Sequence, residues 1–251
     1  MPRVEHLLRA TARAEARHFW FRGFRDFVTP LLGQATRGLS AARLLDCGCG
    51  TGTNLELLGR FGRAYGFDLS EAGPRIGRES GCRWLARASV AAIPFPADSF
   101  DVVTSFDVLY ALEEPDERAA VAEMYRVIRP GGYAIVNVAA MESLRGDHSI
   151  LSRELRRYSR ARLRRLLERS RFRIVRLTYT NATLFLPMLV LRTVQRARGL
   201  APEELAQYEI TVPAAPVNAF LTGVLRVESW WLRLFDSPFG SSLLCLARKP
   251  E

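Results

Sequence analysis

A glycine-rich turn between an apolar stretch and a helix-forming stretch constrains the fold of this chain more than any other feature. Residues Leu44–Gly52 read LLDCGCGTG, and the helix-forming stretch Leu55–Leu58 follows closely. Glycines at positions Gly48, Gly50 and Gly52 allow positive φ angles and let a ligand approach the backbone without an intervening side chain. The pattern predicts that a strand ends at this turn, that a helix begins after it, and that a cofactor lies against it.

A carboxylate at the end of the next apolar run completes the predicted cofactor site. Asp68 ends the run AYGFD and follows Asp46 by 22 positions, which suits one strand–helix–strand unit. A carboxylate there can accept both hydroxyl groups of a ribose. In the dinucleotide-binding fingerprint the third glycine is three places after the second, whereas Gly52 follows Gly50 by two. The spacing therefore departs from that of a dinucleotide site.

Strand-like and helix-like stretches alternate along the chain, which favours a parallel sheet with helices on both faces. Strands are predicted at Arg43–Cys47, Ala64–Asp68, Cys82–Ser89, Phe100–Phe106, Tyr133–Ala139, Phe172–Thr180 and Ser241–Arg248. Helices are predicted at Asn54–Arg60, Glu71–Glu79, Asp116–Ile128 and Leu151–Ser170. The predicted fold class is α/β, with a Rossmann-like, mostly parallel sheet of seven strands.

Four segments follow from this assignment. Residues 1–40 are predicted to form an N-terminal helical lid, with two helical pieces in Arg3–Leu32, and residues 41–181 the cofactor-binding core. Residues 182–240 are predicted to form an insertion of two or three helices before the last strand, in residues 241–251. If the sixth strand runs parallel to its neighbours, its carboxyl end opens on the cofactor side of the sheet. The insertion is therefore interpreted as a cap, and an appendage that stabilises the sheet edge is the alternative.

The only lysine of the chain excludes two other classes of nucleotide-binding enzyme. A P-loop needs Gly-Lys-Ser/Thr, and short-chain dehydrogenases need a lysine beside the cofactor, but Lys249 lies two residues from the end of the sequence. The four cysteines are scattered, so neither a metal site nor a disulfide framework is expected. The first residues lack the apolar core of a signal peptide. No charge-free run reaches the roughly 20 residues of a membrane-spanning helix, so a cytoplasmic location is expected.

Further motifs downstream carry a resemblance to a known family. They are AAIPFP (Ala91–Pro96) followed by DSFD, then FDVLYAL (Phe106–Leu112) and MYRVIRPGG (Met124–Gly132). Together with the DxGxGxG pattern of Asp46–Gly52, they resemble the class I S-adenosylmethionine (SAM) methyltransferases. HFWFRG, RRY (Arg156–Tyr158) and SSLLCLARKP resemble the methyltransferase type 11 branch of that family. The resemblance implies SAM as the cofactor and methyl transfer as the reaction.

The resemblance also assigns cofactor contacts. The methionine part of SAM would be held by Asp46, Gly48, Cys49, Gly50 and Gly52, with Asn54 at the start of the next helix. Asp68 would accept the ribose hydroxyls, Leu69 would flank the adenine, Ser89 and Val90 would meet its edge, and Phe106 would lie under the cofactor. Ser89 stands where the family usually has an aspartate, and its hydroxyl still accepts a hydrogen bond. Ala111 stands where many relatives have a histidine, so that base is missing.

The acceptor side has several candidates. Trp20 and Phe21 either close over SAM, because aromatic faces attract a sulfonium, or pack between helices. His148 is a candidate general base because an ordinary histidine titrates near neutrality, and a surface histidine is the alternative. Three polar residues in loops on the cofactor side are candidates to orient an acceptor: Tyr110, which is also a catalytic candidate, Tyr158 and Asn181.

Positive charge is concentrated in one segment. Leu151–Arg176 contains eleven arginines and two glutamates, a balance of +9 against +10 for the whole chain. Next to an insertion rich in Leu, Phe and Trp, the arginines of Arg153–Arg176 favour an amphiphilic acceptor or an anionic membrane surface. A solvated helix face is the alternative, and nucleic acid ranks third because no aromatic residues are interleaved for stacking.

Three functions are therefore compared. The first is a SAM-dependent methyltransferase acting on a small-molecule or lipid-like acceptor. The second is a membrane-surface protein that retains SAM binding as a structural or regulatory element, and the third is an RNA methyltransferase.

Overall fold

The described residues form a seven-stranded sheet. The structure is a computed structural model that describes residues 12, 14–199 and 211–251, with the backbone alone at positions 148 and 151. The strands are β1 (Arg43–Cys47), β2 (Arg63–Asp68), β3 (Leu85–Arg87), β4 (Phe100–Phe106), β5 (Ile128–Ala139), β6 (Arg173–Thr180) and β7 (Ser242–Arg248). Their order is β3-β2-β1-β4-β5-β7-β6. β7 is antiparallel to both neighbours, and β1 to β5 pair in parallel. β6 therefore runs in the same direction as β1 to β5, and the predicted fold class is confirmed.

Helices connect the strands. They are α1 (Phe19–Ala35), α2 (Thr53–Gly59), α3 (Ala72–Glu79), α4 (Glu114–Val127), α5 (Asp147–Leu151), α6 (Arg160–Arg169), α7 (Phe185–Ala197) and α8 (Ala215–Trp231). Acidic residues fill the first turn of α4 and a proline stands at its start, as the helix dipole and proline geometry favour. Within the described ranges, no helix has the length and apolarity needed to cross a membrane.

Three predicted elements differ from the structure. The strand predicted at Tyr133–Ala139 begins earlier, at Ile128, where β5 starts to pair with β4. The helix predicted at Leu151–Ser170 begins only at Arg160, because Tyr158 is held in extended backbone by its N–H bond to the Ala139 carbonyl (2.8 Å). The Ser159 side chain then accepts from the Arg162 N–H and caps α6. The strand predicted at Cys82–Ser89 is reduced to β3. The first part of the predicted N-terminal helices, before residue 12, lies outside the described residues.

Each face of the sheet is covered by helices. Leu44 and Leu45, both fully buried neighbours in β1, contribute to different core clusters, as the alternation of side chains along a strand requires. One cluster contains residues of α4 and α6, and the other contains residues of α1, α2 and α8. Burial of each large apolar side chain contributes about 1.5–3 kcal/mol. The sheet is therefore the rigid support for the loops at its carboxyl edge.

The two helices between β6 and β7 lie in different places. α8 packs against α1 so closely that a Cβ on Gly23 would lie 2.4 Å from the Cδ1 atom of Leu225. α7 packs instead against the segment that follows β5, where the Asp147 N–H donates to Gln195 Oε1. α7 therefore adjoins the loop after β5, and α8 adjoins the loop after β6, where Glu228 accepts from the Ala182 and Thr183 N–H groups.

Candidate functional site

The turn after β1 has the backbone conformation that its glycines predict. Gly48, Gly50 and Gly52 have φ angles of +79°, +55° and +81°. A Cβ on Gly48 would lie 2.4 Å from the Cγ2 atom of Val108, and one on Gly52 would lie 3.3 Å from the Cys82 sulfur. A Cβ on Gly50 would meet no described atom within 4 Å. The middle of the turn therefore faces open space, in which a ligand can lie directly against the backbone.

Asp68 lies beside this open space, at the end of β2. Its Oδ2 accepts from the Gly50 N–H (2.9 Å), and its Oδ1 accepts from the N–H and the hydroxyl of Ser70 (2.8 and 2.7 Å). Each carboxylate oxygen has two lone pairs, so Oδ2 can accept one further hydrogen bond. Asp68 therefore braces the turn and still offers an acceptor at the position predicted for a ribose.

Asp46 is buried at the end of β1, with one carboxylate oxygen available. Oδ1 accepts from the Thr104 hydroxyl (2.7 Å), whereas Oδ2 is buried without a partner among the described residues. Burial raises the pKa of Asp46 to about 7, the Thr104 hydrogen bond opposes this rise, and the charges of Asp68 and Glu15 add to it. A buried carboxylate oxygen without a partner is costly and fits a cationic donor from a ligand.

Glu15 provides a second carboxylate at the same place, from the segment before α1. Its Oε2 is also buried without a partner in the described part of the chain. Burial raises the pKa of Glu15, and a hydrogen bond with Thr53 and the charge of Arg25 oppose the rise. Glu15 could not be predicted from sequence, because one acid among the charged residues of TARAEAR carries no motif.

A polar cleft opens next to these carboxylates. Its volume is about 330 Å³, and its lining includes Ala16, Arg22, Arg25 and Thr53. Arg25 is close enough for its charge to act on Glu15. The cleft is also lined by the acids Asp26 and Glu56. Arg25 places a guanidinium group beside the Glu15 carboxyl, and these two groups suit the carboxylate and ammonium ends of an amino acid.

The other predicted cofactor contacts lie around the carboxyl ends of β1 to β4. Cys49 and Val90 are buried, Asn54 is in the first turn of α2, and Leu69 is 67% exposed. The Ser89 hydroxyl accepts from the Ala91 N–H (3.2 Å). Phe106 is buried at the end of β4 with its ring 4.9 Å from that of Phe24. These positions are compatible with the predicted contacts, which remain predictions.

A polar cluster follows β4 on the side away from the glycine turn. Asp107 is the first residue after β4, has a φ of +59°, and accepts from the Asn137 amide through Oδ1 (3.0 Å). Part of the residue is open to solvent, but the protein encloses its carboxyl. This burial raises the pKa of Asp107 to about 7, Glu154 adds to the rise, and Asn137 and Arg157 oppose it. Asp107 is not among the site residues predicted from sequence, although an acid directly after a central strand is a signal for one.

Of the predicted acceptor residues, Tyr110 is the one that lies beside Asp107. Burial, Asp107 and Glu154 raise the pKa of its hydroxyl. Tyr158 is 1% exposed and donates its hydroxyl to the buried Glu117, so it is engaged in the core. Asn181 is also buried, directly after β6.

The aromatic candidates start α1. Trp20 and Phe21 are half-buried, and the ring of Phe21 is 6.0 Å from that of His18 in an edge-on contact. His18 caps the helix by accepting from the Trp20 N–H (3.1 Å). The side chain of His148 lies outside the described part of the structure.

The strand order and the residues of this site together indicate which class of protein the fold belongs to. A sheet with this strand order, a glycine turn after β1 and a carboxylate after β2 is the architecture of class I SAM-dependent methyltransferases. Residues 45–136 match the family model described as methyltransferase domain. The matched segment is accordingly a methyltransferase domain of the class I, SAM-dependent type.

Individual relatives cover part of the chain. A demethylmenaquinone methyltransferase of Geobacillus kaustophilus is 32% identical over 41% of this chain and 48% of its own length. A ubiquinone biosynthesis O-methyltransferase of Alkalilimnicola ehrlichii is 33% identical over 44% of this chain and 45% of its own length. The chain thus spans about half the length of the curated relatives it matches. The crystal structure of the cyclase SpnF shares the fold, with a TM-score of 0.58 and 22% identity over 90% of this chain and 80% of SpnF.

Proposed function

We propose that this chain is a SAM-dependent methyltransferase that acts on a quinone-like or lipid-like small molecule. The observation that carries the proposal is that Asp46 and Glu15 each have a buried carboxylate oxygen without a partner among the described residues, next to a glycine turn that faces open space at Gly50. A ligand with an ammonium group next to a nucleoside would satisfy both carboxylates and use Asp68 for its ribose. SAM has this combination of groups.

Each residue then has a stated role. SAM, when bound, supplies a methyl group activated by the attached sulfonium. Asp46 and Glu15 bind the ammonium, Arg25 neutralises the carboxylate, and Asp68 accepts a ribose hydroxyl. These contacts fix the direction in which the methyl group points, and such orientation is the main contribution of the protein to a displacement reaction.

On the acceptor side, Asp107 is our candidate to take a proton. A general base works best when its pKa lies near the working pH, and the pKa of Asp107 is raised to about 7. Tyr110, which lies beside it, would orient the acceptor. Asp107 therefore replaces His148 as the first candidate base. The relatives named for demethylmenaquinone and ubiquinone support a quinone-like acceptor with an acidic hydroxyl or ring carbon.

Calorimetric titration of the full chain with SAM and S-adenosylhomocysteine tests the cofactor site. We expect Asp68→Ala to weaken binding at least about tenfold, because a hydrogen bond to a charged group contributes about 1.5–3 kcal/mol. Asp116→Ala is the matched control, since Asp116 is an exposed acid in the first turn of α4. No binding at millimolar SAM, or equal affinities for the two variants, would contradict the proposal.

Incubation with methyl-labelled SAM tests the acceptor class. Reduced quinones and simple phenols are offered in one set of reactions and total RNA in another, with mass spectrometry of the products. Label in a quinone or phenol supports the proposal. Label in RNA alone would favour the RNA methyltransferase. SAM binding without transfer to any acceptor would favour a membrane-surface protein that retains SAM as a structural or regulatory element. The fold is compatible with this outcome, because a cyclase shares it.

A further inference from the structure

The helix α8 has its polar and apolar faces reversed relative to an ordinary surface helix. Its buried side chains include four polar residues: Asn218, Thr222, Glu228 and Ser229. Its large apolar side chains point outward instead, with Phe220 69% and Val227 68% exposed. Val217, Trp230 and Trp231 of α8 are exposed as well, and so are Leu234 and Phe235, which follow the helix. A helix of a globular protein normally buries its apolar stripe, so this face is built to contact something else.

α7 repeats the same reversal. Its buried residues are Arg192 and Gln195, whereas Leu186 is 68% and Val190 65% exposed. The start of α7 is fixed to α8 by the buried carboxylate of Glu228, which accepts from the Ala182 and Thr183 N–H groups (2.8 and 3.0 Å). The exposed apolar residues of α7 and α8 are therefore held by one scaffold, and we call them the outer apolar face.

Arginines border this face. Arg226 and Trp230 have the i, i+4 spacing that places residues on one side of a helix. Arg233 follows the end of α8, and both arginines are exposed. Arg196 and Arg198 are exposed at the end of α7. Arg226 pairs with Asp26 (3.4 Å) and Arg198 pairs with Asp147 (2.8 Å). The acids nearest to Arg233 in sequence are engaged elsewhere, because Glu228 is buried and Asp236 pairs with Arg176 (2.8 Å). The positive charge at the border of the outer apolar face therefore comes mainly from Arg196 and Arg233.

We propose that α7 and α8 dock the protein on the surface of an anionic lipid membrane. Helices with a tryptophan-rich apolar face and flanking arginines bind in the plane of the headgroup region, and tryptophan favours that interface. A second copy of the chain fits less well, because a two-fold symmetric contact would bring the same arginines together, whereas anionic lipids attract them.

The proposed docking surface differs from the arginine-rich segment Arg153–Arg176. α6 packs in the core cluster on the opposite face of the sheet from α8. Many of its arginines and their neighbours form ion pairs: Arg156 and Arg162 with Glu117, Arg157 with Glu154, and Arg164 with Glu168. Changes in that segment would disturb these contacts and would be a poor test of docking.

Vesicle binding of the full chain tests the proposal without relying on methyl transfer. Vesicles of phosphatidylcholine with phosphatidylglycerol are compared with pure phosphatidylcholine by flotation, at low and high salt. We expect binding to the anionic vesicles that decreases with salt, together with a blue shift of tryptophan fluorescence. That shift should be smaller in a variant with Trp230→Tyr and Trp231→Tyr.

Substitutions of exposed residues locate the surface. The double variant Phe220→Ser, Val227→Ser should lower the partition coefficient at least roughly tenfold, and Arg233→Gln should lower it about fivefold. Leu39→Ser, at a leucine before β1 that is 45% exposed, should leave binding unchanged, and thermal melts check that each variant is folded.

Three results would overturn the proposal. They are absence of binding to either vesicle, binding that the α8 substitutions do not change, and light scattering that shows a dimer which Phe220→Ser, Val227→Ser dissociates. Because vesicle binding is read without SAM, its failure is distinguishable from failure of the proposed function.

Discussion

Replacing the buried Asp46 with asparagine should stabilise the free protein and weaken its binding of SAM. Asparagine has the shape of a protonated aspartate and keeps an oxygen to accept the Thr104 hydroxyl. It cannot ionise. The substitution therefore removes the free-energy cost of placing a negative charge at a site where Oδ2 has no described partner.

The size of the effect follows from the raised pKa. The pKa of Asp46 is about 7 in the folded chain, against about 4 for an ordinary aspartate. The folded state therefore holds the proton more tightly than the unfolded state, and this contribution to stability is present below about pH 4 and lost as the pH rises through about 7. The free energy of unfolding lost in this way is on the order of 4 kcal/mol. Part of this loss belongs to Glu15, because neighbouring carboxyls titrate as a pair.

Urea denaturation of wild type and Asp46→Asn at a series of pH values measures this difference. The variant should gain stability relative to wild type between about pH 4 and about pH 8, while Asp116→Asn, at an exposed position, should show no such gain. Calorimetry near pH 6 in two buffers of different ionisation enthalpy should show that wild type releases a proton when SAM binds. The variant should bind SAM about tenfold to a hundredfold more weakly. A stability difference that does not change with pH would refute the reasoning.

Three further predictions follow from single contacts. Gly50→Ala should lower SAM affinity strongly in calorimetry, and its positive φ should cost only about 1–2 kcal/mol of stability. Gly48→Ala should lose more stability in urea denaturation, because its Cβ would lie 2.4 Å from Val108. Equal stability losses of the two variants would contradict this. Asp107→Asn should remove the rise of methyl-transfer rate through about pH 7 and leave SAM affinity unchanged, and an unchanged pH profile would exclude Asp107 as the base. Glu228→Gln should lower the free energy of unfolding by about 2–3 kcal/mol, because a buried carboxylate that accepts from Ala182 and Thr183 is replaced. A loss no larger than that of a surface substitution would show that these hydrogen bonds are dispensable.

The central strands and the glycine turn were predictable because local sequence determines them. β1 and β4 begin and end at the predicted residues, since an apolar run bounded by turn residues has few other structures available. The positive φ angles of Gly48, Gly50 and Gly52 follow from the residue type. Asp68 lies beside the turn because the two strands that carry these elements are neighbours in the sheet.

The rest of the site depends on contacts between residues that are distant in sequence. Glu15 reaches the turn from a segment without a motif, and only tertiary packing gives its carboxyl a raised pKa. Tyr158 looked like a loop residue in sequence, but the buried Glu117 accepts its hydroxyl and holds it in the core. The reversed faces of α7 and α8 were also hidden, because an apolar stripe in sequence does not say whether it points inward or outward.

Positive φ angles and buried carboxylates recur at the carboxyl edge of the sheet. The residue that follows β1, β4 and β6 has a positive φ in each case, at Gly48, Asp107 and Asn181, and Met141 does so two residues after β5. For residues other than glycine this conformation costs about 1–3 kcal/mol. The carboxylates of Asp46 and Asp107, whose pKa values are raised to about 7, belong to the same edge. The packed centre of the sheet stabilises the chain, and these costs fall at the edge where a ligand would bind. A bound ammonium group would offset the cost of the ionised carboxylates. SAM should therefore stabilise this protein more at high pH, where the carboxylates are ionised, than at low pH.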